Sequence, residues 1–226
     1  MKKNEIVSEL NPAKSFVVPF VFAPLIVLSW FYGGWTIIIA PAFGYGLITI
    51  LDSLTTENAK IPEPKNNDLS RYKIILWAWP PIQFFLIFGS LIVIFNFSEW
   101  STFEQIGLML VQGMITGAVG IVFAHELMHQ KSSKERFLAD SLMGMAVYGH
   151  FRTEHILVHH RFVGTKRDAV TARFNESFYR FFIRVLPSCL RSAWRIEVER
   201  LVNKQKSPFN IKNPFWTYLM FPVTFL

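Results

Sequence analysis

The sequence predicts an all-α protein: a polytopic bundle of transmembrane helices with its histidines gathered at one membrane face. Of the 226 residues, 51% are hydrophobic, and the mean hydropathy is +0.30, as is typical of membrane proteins. Several long apolar runs follow one another along the chain. All six histidines fall between His125 and His160. We interpret residues 1–226 as a single domain.

The first apolar run, at 16–32, follows a polar tail and predicts a transmembrane helix. No small-residue cleavage site follows this run, so we interpret it as a retained helix rather than a signal peptide. Gly33 and Gly34 predict a tight turn, after which the run at 35–51 predicts the second span.

Two further runs predict the third and fourth spans, at 74–97 and 105–124. The third run is long enough to cross about 30 Å of hydrocarbon with some tilt. In the fourth, Gly113 and Gly117 form a pair of small residues four apart, which we interpret as close helix packing inside the bundle.

The positions of lysine and arginine predict the orientation. The N-terminal tail, the loop at 52–73 and the segment after His129 are basic, whereas the Gly33–Gly34 turn and the loop at 98–104 contain neither residue. Cytoplasmic loops carry the excess of basic residues. We therefore expect the N-terminus and the histidines on the cytoplasmic side, in a bacterial inner membrane.

Beyond the fourth span the pattern changes. Residues 137–151 predict a short buried helix, and 174–203 predict an amphipathic stretch along the cytoplasmic interface, broken into two pieces at Pro187. A fifth apolar span begins at 213–226 and stops about halfway across a bilayer. We expect the chain to be truncated within this span.

The histidines form two motifs with metal-ligand spacing, HELMH at 125–129 and HILVHH at 155–160. Histidines four apart lie on one face of a helix. Neutral imidazole binds iron, zinc, copper or nickel, and the single cysteine, Cys189, argues against a thiolate site.

HELMH also matches the H-E-x-x-H pattern of zinc proteases, in which Glu126 would act as the base. One such zinc needs a single further protein ligand, yet the second motif supplies three more histidines. This surplus favours a dinuclear centre.

Three segments carry a resemblance to a known family: HELMHQ at 125–130, EHILVHH at 154–160 and RFNESFYRFF at 173–182. Together they resemble the histidine boxes and the following segment of the membrane alkane hydroxylases, also called alkane 1-monooxygenases. Xylene monooxygenases share these patterns. Membrane fatty acid desaturases are similar, but their second box is typically HxxHH, whereas this chain has HxxxHH.

The resemblance implies a non-haem di-iron enzyme that inserts one oxygen atom of O2 into the terminal C–H bond of an alkane, using electrons from rubredoxin. It implies that Glu126 and Glu154 accept hydrogen bonds from ligand imidazoles. His150 precedes the second box and has no ligand counterpart in the family pattern, so we expect it to have a supporting or structural position. No catalytic residue is implied beyond the metal centre. The implied iron ligands are His125, His129, His155, His159 and His160.

The chain departs from the family pattern in three places. Val158 stands where glycine is usual, and TKRDAVTA at 165–172 replaces an acidic, proline-bearing segment. Family members carry further histidines downstream, so we expect the remaining ligands beyond Leu226.

The net charge of +7 comes from basic residues spread over short segments, which argues against a nucleic-acid partner and for contact with membrane lipid. Some of these residues are candidates for docking an acidic electron carrier. They are Lys131, Lys134, Arg136, Arg152, Arg161, Lys166 and Arg167. The alternatives left open are a fatty acyl desaturase or hydroxylase, an intramembrane zinc protease, and a metal-binding or transport protein.

Overall fold

The structure is a computed structural model that describes residues 12–54, 69–96 and 99–224. Every regular element in these ranges is helical, which confirms the all-α prediction. The chain separates into two compact units, Met1–Phe123 and Ala124–Leu226. The single-domain interpretation stays a prediction.

The first unit is built from four helical segments. A 3-10 helix, Pro12–Val21, continues directly into the α-helix α1. A π-helical turn, Ala42–Leu47, interrupts α2, and another, Thr116–Gly120, interrupts α4. The segments are α1 (Phe22–Tyr32), α2 (Gly34–Leu54), α3 (Leu69–Asn96) and α4 (Thr102–Met128), the last of which ends in the second unit.

Among the described residues, three helices are long and apolar enough to cross a membrane: Gly34–Leu54, Ser70–Asn96 and Thr102–Met128. The run Phe16–Tyr32 is a shorter apolar helix. The predicted spans at 35–51, 74–97 and 105–124 are confirmed as helices, and each extends past its apolar run because polar residues continue the helical hydrogen bonding. Residue 97 lies outside the described part of the chain.

Two turns meet at one end of the first unit. Gly33 and Gly34 both have φ of +53°, a backbone conformation that glycine adopts without steric cost. The N–H of Gly34 donates to Oε1 of Glu104 at 2.8 Å. Glu104 also forms a capping box with Ser101, which starts α4. The predicted tight turn is confirmed, and it lies beside the start of α4 as an up-and-down bundle requires.

Aromatic packing joins the 3-10 helix Pro12–Val21, α3 and α4 towards the other end of this unit. The ring of Trp79 lies 5.4 Å from Phe20 and 5.5 Å from Phe123, centroid to centroid. Trp79 is fully buried, and its indole N–H donates to Oε1 of Gln83 at 2.9 Å. A Cβ at Gly120 would lie 2.0 Å from that same Oε1, so a larger residue there would displace the Gln83 side chain.

The close-packing prediction for Gly113 and Gly117 is wrong. A Cβ at either position would meet nothing within 4 Å among the described residues, and both glycines are exposed. The packed face of this helix instead carries Gly120, because Val119 and Phe123 turn inwards with it. Residue spacing alone does not say which face of a helix is packed.

The second unit contains the end of α4 and four more segments. The short helix predicted at 137–151 is confirmed but begins and ends earlier, as α5. The predicted fifth span at 213–226 contains a helix, α8; residues 225–226 lie outside the described part, and the span itself stays a prediction. The segments are α5 (Ser133–Met145), α6 (151–162), α7 (Phe178–Val202) and α8 (Phe215–Thr224).

The prediction that Pro187 breaks the amphipathic stretch is wrong, because α7 is one continuous helix of 25 residues. Proline removes one hydrogen bond, the one to the carbonyl of residue Ile183. Pro187 and Ile183 both lie on the exposed side of α7, while Val185 and Cys189 are buried on the other side. Packing of the buried side holds the helix together across the proline.

Buried hydrogen bonds fix α6 between its neighbours. The Thr153 hydroxyl donates to Oε1 of Glu197 on α7 at 2.8 Å and also lies 2.8 Å from the Tyr218 hydroxyl on α8. Arg152 forms a bidentate ion pair with Asp140 on α5: its Nε donates to Oδ1 at 2.6 Å and its Nη2 donates to Oδ2 at 2.9 Å. Three helices therefore hold Arg152 and Thr153, shortly before the second histidine motif.

Candidate metal centre

The first histidine motif lies at the end of α4. His125 is in the last α-helical turn and His129 directly follows that helix, so the two imidazoles lie one turn apart with ring centroids separated by 4.8 Å. This is the arrangement that the HxxxH spacing predicts.

The second motif lies in a π-helical segment, Glu154–His159, at the centre of α6. A π-helical turn takes about 4.4 residues against 3.6 in an α-helix. Residues four and five positions along therefore lie on either side of the starting residue, so His159 and His160 both flank His155. In a regular α-helix His160 would point well away from His155.

The two motifs converge at the imidazole of His155. Its Nε2 atom lies 3.0 Å from Nε2 of His125, 3.2 Å from Nε2 of His129 and 3.0 Å from Nε2 of His160. The predicted ligands of the first motif and two of the second thus meet at one point, although 30 residues separate His125 from His155.

The converging imidazole nitrogens form a suitable binding site for a metal cation. Burial, followed by the neighbouring imidazoles, lowers the pKa of His155 to about 4, so the ring is neutral at physiological pH. A neutral ring nitrogen can share one hydrogen with one neighbour, yet His155 Nε2 has three nitrogen neighbours. A metal ion would accept all these lone pairs at once.

His159 is oriented by an aspartate that the sequence reasoning missed. Its Nδ1 lies 3.0 Å from Oδ2 of Asp168, which is buried and also accepts hydrogen bonds from the Thr171 hydroxyl and the Val170 N–H. An ionised carboxylate accepts the Nδ1 hydrogen and leaves the Nε2 lone pair free for a metal. The available signal was a carboxylate one short loop after the second motif.

Asp168→Asn is expected to weaken metal binding by about 10- to 100-fold, because it removes the charge that keeps the Nδ1 hydrogen of His159 in place. Competition with a chelator measures the affinity. Asp168→Glu should restore part of it, and Glu199→Gln, at an exposed carboxylate on α7, should leave it unchanged. Unaltered affinity in Asp168→Asn would show that this aspartate does not support the site.

The two glutamates next to the ligands differ. The Glu126 side chain is 58% exposed, with Oε1 3.5 Å from Nδ1 of His125. Glu154 is fully buried, and neither of its oxygens has a hydrogen-bond partner among the described residues. Loss of hydration, reinforced by Asp168, raises the pKa of Glu154 to about 7. Their role in orienting imidazoles stays a prediction.

His150 lies apart from the converging imidazoles, with its ring 4.5 Å from that of Tyr148. Its Nε2 is buried without a hydrogen-bond partner among the described residues. Burial lowers the pKa of His150 from its ordinary value of 6.5 to about 4. The structure therefore buries this histidine in its neutral form.

His150→Phe is expected to reduce the loss of stability in acid. As the pH falls from 6.5 to about 4, the unfolded chain takes up a proton at His150 before the folded chain does, so folding weakens across this window and not above it. The variant lacks this contribution. Thermal unfolding of both proteins in detergent checks the prediction, which fails if their difference in midpoint is the same at both ends of the window.

Fold and site together define a helical membrane protein with a histidine-rich metal site. Residues 98–226 match the sequence model of a protein family described as fatty acid desaturase. The chain belongs to this family, and the resemblance inferred from the histidine motifs is confirmed.

Curated relatives agree with this assignment. Alkane 1-monooxygenase 1 of Pseudomonas aeruginosa is 32% identical over 182 residues, covering 78% of this chain and 48% of that protein. Its namesake in Alcanivorax borkumensis is 32% identical over 180 residues, with coverage of 75% and 42%. The XylM hydroxylase component of Pseudomonas putida xylene/toluene monooxygenase is 25% identical over 214 residues, with coverage of 93% and 56%. The chain spans about half the length of these relatives.

Proposed function

We propose that this chain supplies the membrane helices and part of the ligand set of a non-haem di-iron monooxygenase that hydroxylates the terminal carbon of alkanes. The observation that carries the proposal is the convergence of three imidazole Nε2 atoms on Nε2 of His155, at 3.0 to 3.2 Å. Similarity to alkane 1-monooxygenases supports the substrate class.

The five predicted ligands would hold the metal as neutral imidazoles, with His159 oriented by Asp168. When bound, iron supplies the activation of O2 that lets one oxygen atom enter a C–H bond. Five imidazoles are few donors for two iron ions, so the complete centre would need further donors. We therefore expect the 226-residue chain by itself to have little hydroxylase activity.

Apolar helices provide the route for the substrate. Three of them are long enough to cross a bilayer, and their exposed faces carry large apolar side chains such as Phe85, Ile92 and Phe95. An alkane partitions into the hydrocarbon of the bilayer and would reach the metal centre from there. We propose that the N-terminus and the histidines face the cytoplasm of a bacterial cell, where a soluble electron donor is available.

We propose rubredoxin or a similar small acidic protein as that donor. Arg152 is not a candidate docking residue, because its guanidinium is engaged by Asp140. Lys131, Lys134 and Lys166 are exposed and are better placed to attract an acidic partner. Turnover that does not weaken as salt is added would contradict electrostatic docking.

Octane turnover by the full gene product tests the function. The purified protein, supplied with iron, rubredoxin, its reductase and NADH, is expected to form 1-octanol containing one oxygen atom from labelled O2. The 226-residue chain under the same conditions is expected to form little. A full gene product that makes no alkanol from octane would overturn the proposal.

Two alternatives have distinct outcomes. The fatty acid desaturase description of the family favours an acyl-chain desaturase, whose product from a fatty acyl substrate would be an alkene. A zinc protease needs Glu126 beside the metal, but its described contact is with Nδ1 of His125, whereas the converging atoms are Nε2. One zinc per chain and proteolysis lost in Glu126→Gln would favour the protease instead.

A further inference from the structure

A second site lies in the Ala124–Leu226 unit, in a cavity of about 730 Å³ between the loop 164–174 and one face of α7. We call it the arginine cavity. The converging Nε2 atoms do not belong to its lining, although Asp168 contributes to its wall. Its basic lining residues are Lys166, Arg167, Arg173, Arg184, Arg191 and Arg195.

The residues of α7 that line the cavity share one face of the helix. Arg184, Arg191 and Arg195 are separated by seven and four residues, which places them on one face of a helix, and Ser188 and Ser192 lie between them on the same face. The helix thus presents guanidinium groups and hydroxyls together.

Arg184 has a structural role in the cavity, because its charge is paired with residues of the loop. Its guanidinium donates to both carboxylate oxygens of Glu176, each at 2.7 Å, and to the carbonyl oxygens of Ala169 and Thr171 at 2.8 and 3.3 Å. These bonds hold the loop against α7. The guanidinium also lowers the pKa of Glu176 to about 2, so this ion pair persists throughout the physiological range.

Other positive charges in the cavity have no such partner. Among the described residues, Lys166, Arg191 and Arg195 form no ion pair within 4.0 Å, and Arg167 rests on the ring of Phe162, 4.0 Å from its centroid. Asp168, the acidic lining residue, is already occupied by His159, Thr171 and the Val170 N–H. Glu199 lines an adjoining cavity with Lys166, Arg167 and Arg195 but forms no ion pair with them among the described residues, so the arginine cavity holds more positive than negative charge.

One large apolar side chain lines the cavity, that of Phe174, which is fully exposed. The side of α7 away from Arg184, Arg191 and Arg195 exposes a row of large apolar side chains: Phe178, Tyr179, Phe182, Ile183, Leu186 and Leu190. A helix with basic groups on one face and exposed apolar side chains on the other is typical of segments that lie at a membrane interface.

We propose that the arginine cavity binds the phosphate of an anionic phospholipid, with an acyl chain against the exposed ring of Phe174. Arginine matches phosphate oxygens in charge and geometry. A concave pocket of this volume suits a headgroup, whereas a protein partner docks on a broader surface. Because the described residues contain three candidate membrane spans, phospholipids would surround the protein. The inference does not depend on the reaction catalysed.

Lipid titration of the purified full gene product in detergent micelles, followed by native mass spectrometry, tests the proposal. Phosphatidylglycerol is expected to bind at least about tenfold more tightly than phosphatidylcholine. Arg191→Gln/Arg195→Gln is expected to remove this preference. Arg180→Gln/Lys204→Gln, which removes two exposed charges outside the cavity, should keep it.

Lys166→Gln/Arg167→Gln tests the same cavity from its loop side and should act like the α7 variant. Iron content and helical circular dichroism confirm that each variant is folded. The proposal is overturned if both cavity variants retain the preference, or if the cavity and control variants lose it equally. Competition by inorganic phosphate as strong as by the lipid would assign the cavity to a soluble phosphate and overturn the lipid. Cavity variants that weaken rubredoxin binding but leave the lipid preference unchanged would also overturn the proposal.

Discussion

His155→Ala is expected to abolish metal binding, with a loss of affinity of more than about 100-fold. His155 Nε2 is the atom that three other imidazoles approach to within 3.2 Å, so its removal takes one ligand and separates the two motifs from their meeting point. Iron analysis of the purified protein measures the first effect. The increase in unfolding temperature on adding iron, which depends on affinity, should disappear in the variant.

His150→Ala is the matched control, because His150 is the histidine outside the two motifs. It should retain the metal content of the parent protein, whereas His129→Ala and His159→Ala should lose it. A full complement of iron in His155→Ala would contradict the site described here. Loss of iron in His150→Ala to the same extent would mean that the assay reports folding rather than ligation.

Asp140→Ala is expected to destabilise the protein by about 3 kcal/mol, because it leaves the guanidinium of Arg152 largely buried without its partner. Both side chains are mostly buried, at 12% and 26% exposure for Asp140 and Arg152. The pair fixes the start of α6, just before the second histidine motif, so metal affinity should fall as well. Denaturant unfolding in detergent, compared at equal slope, measures the change.

The double variant Asp140→Ala/Arg152→Leu distinguishes two causes of the destabilisation: loss of the ion-pair attraction, and burial of an unpaired guanidinium. The double variant is expected to recover much of the stability, because no buried charge remains unpaired. Glu199→Ala, at an exposed carboxylate in the same unit, should change the free energy of unfolding by less than about 0.5 kcal/mol. If the double variant is no more stable than Asp140→Ala, the ion pair is not the source of the loss.

Helix positions were predicted well because they depend on local composition. The apolar runs at 35–51 and 105–124 lie within the observed helices, and the turn predicted from Gly33 and Gly34 is found at those two residues. Predictions about packing were less reliable. Gly113 and Gly117 are exposed, and Pro187 lies inside a continuous helix, since both outcomes depend on which helix face has neighbours.

The sequence by itself determined the class of fold and the residues able to bind a metal, because hydropathy and histidine spacing are local properties of the chain. Tertiary structure decided that His125 and His155, 30 residues apart, share one point in space. It also decided the π-helical turn that aligns His160, and the contact of Asp168 with His159. The meeting of His125 with His155 depends on a contact between segments distant along the chain, and the π-helical turn and the Asp168 contact depend on how the backbone packs, so residue spacing alone does not reveal them.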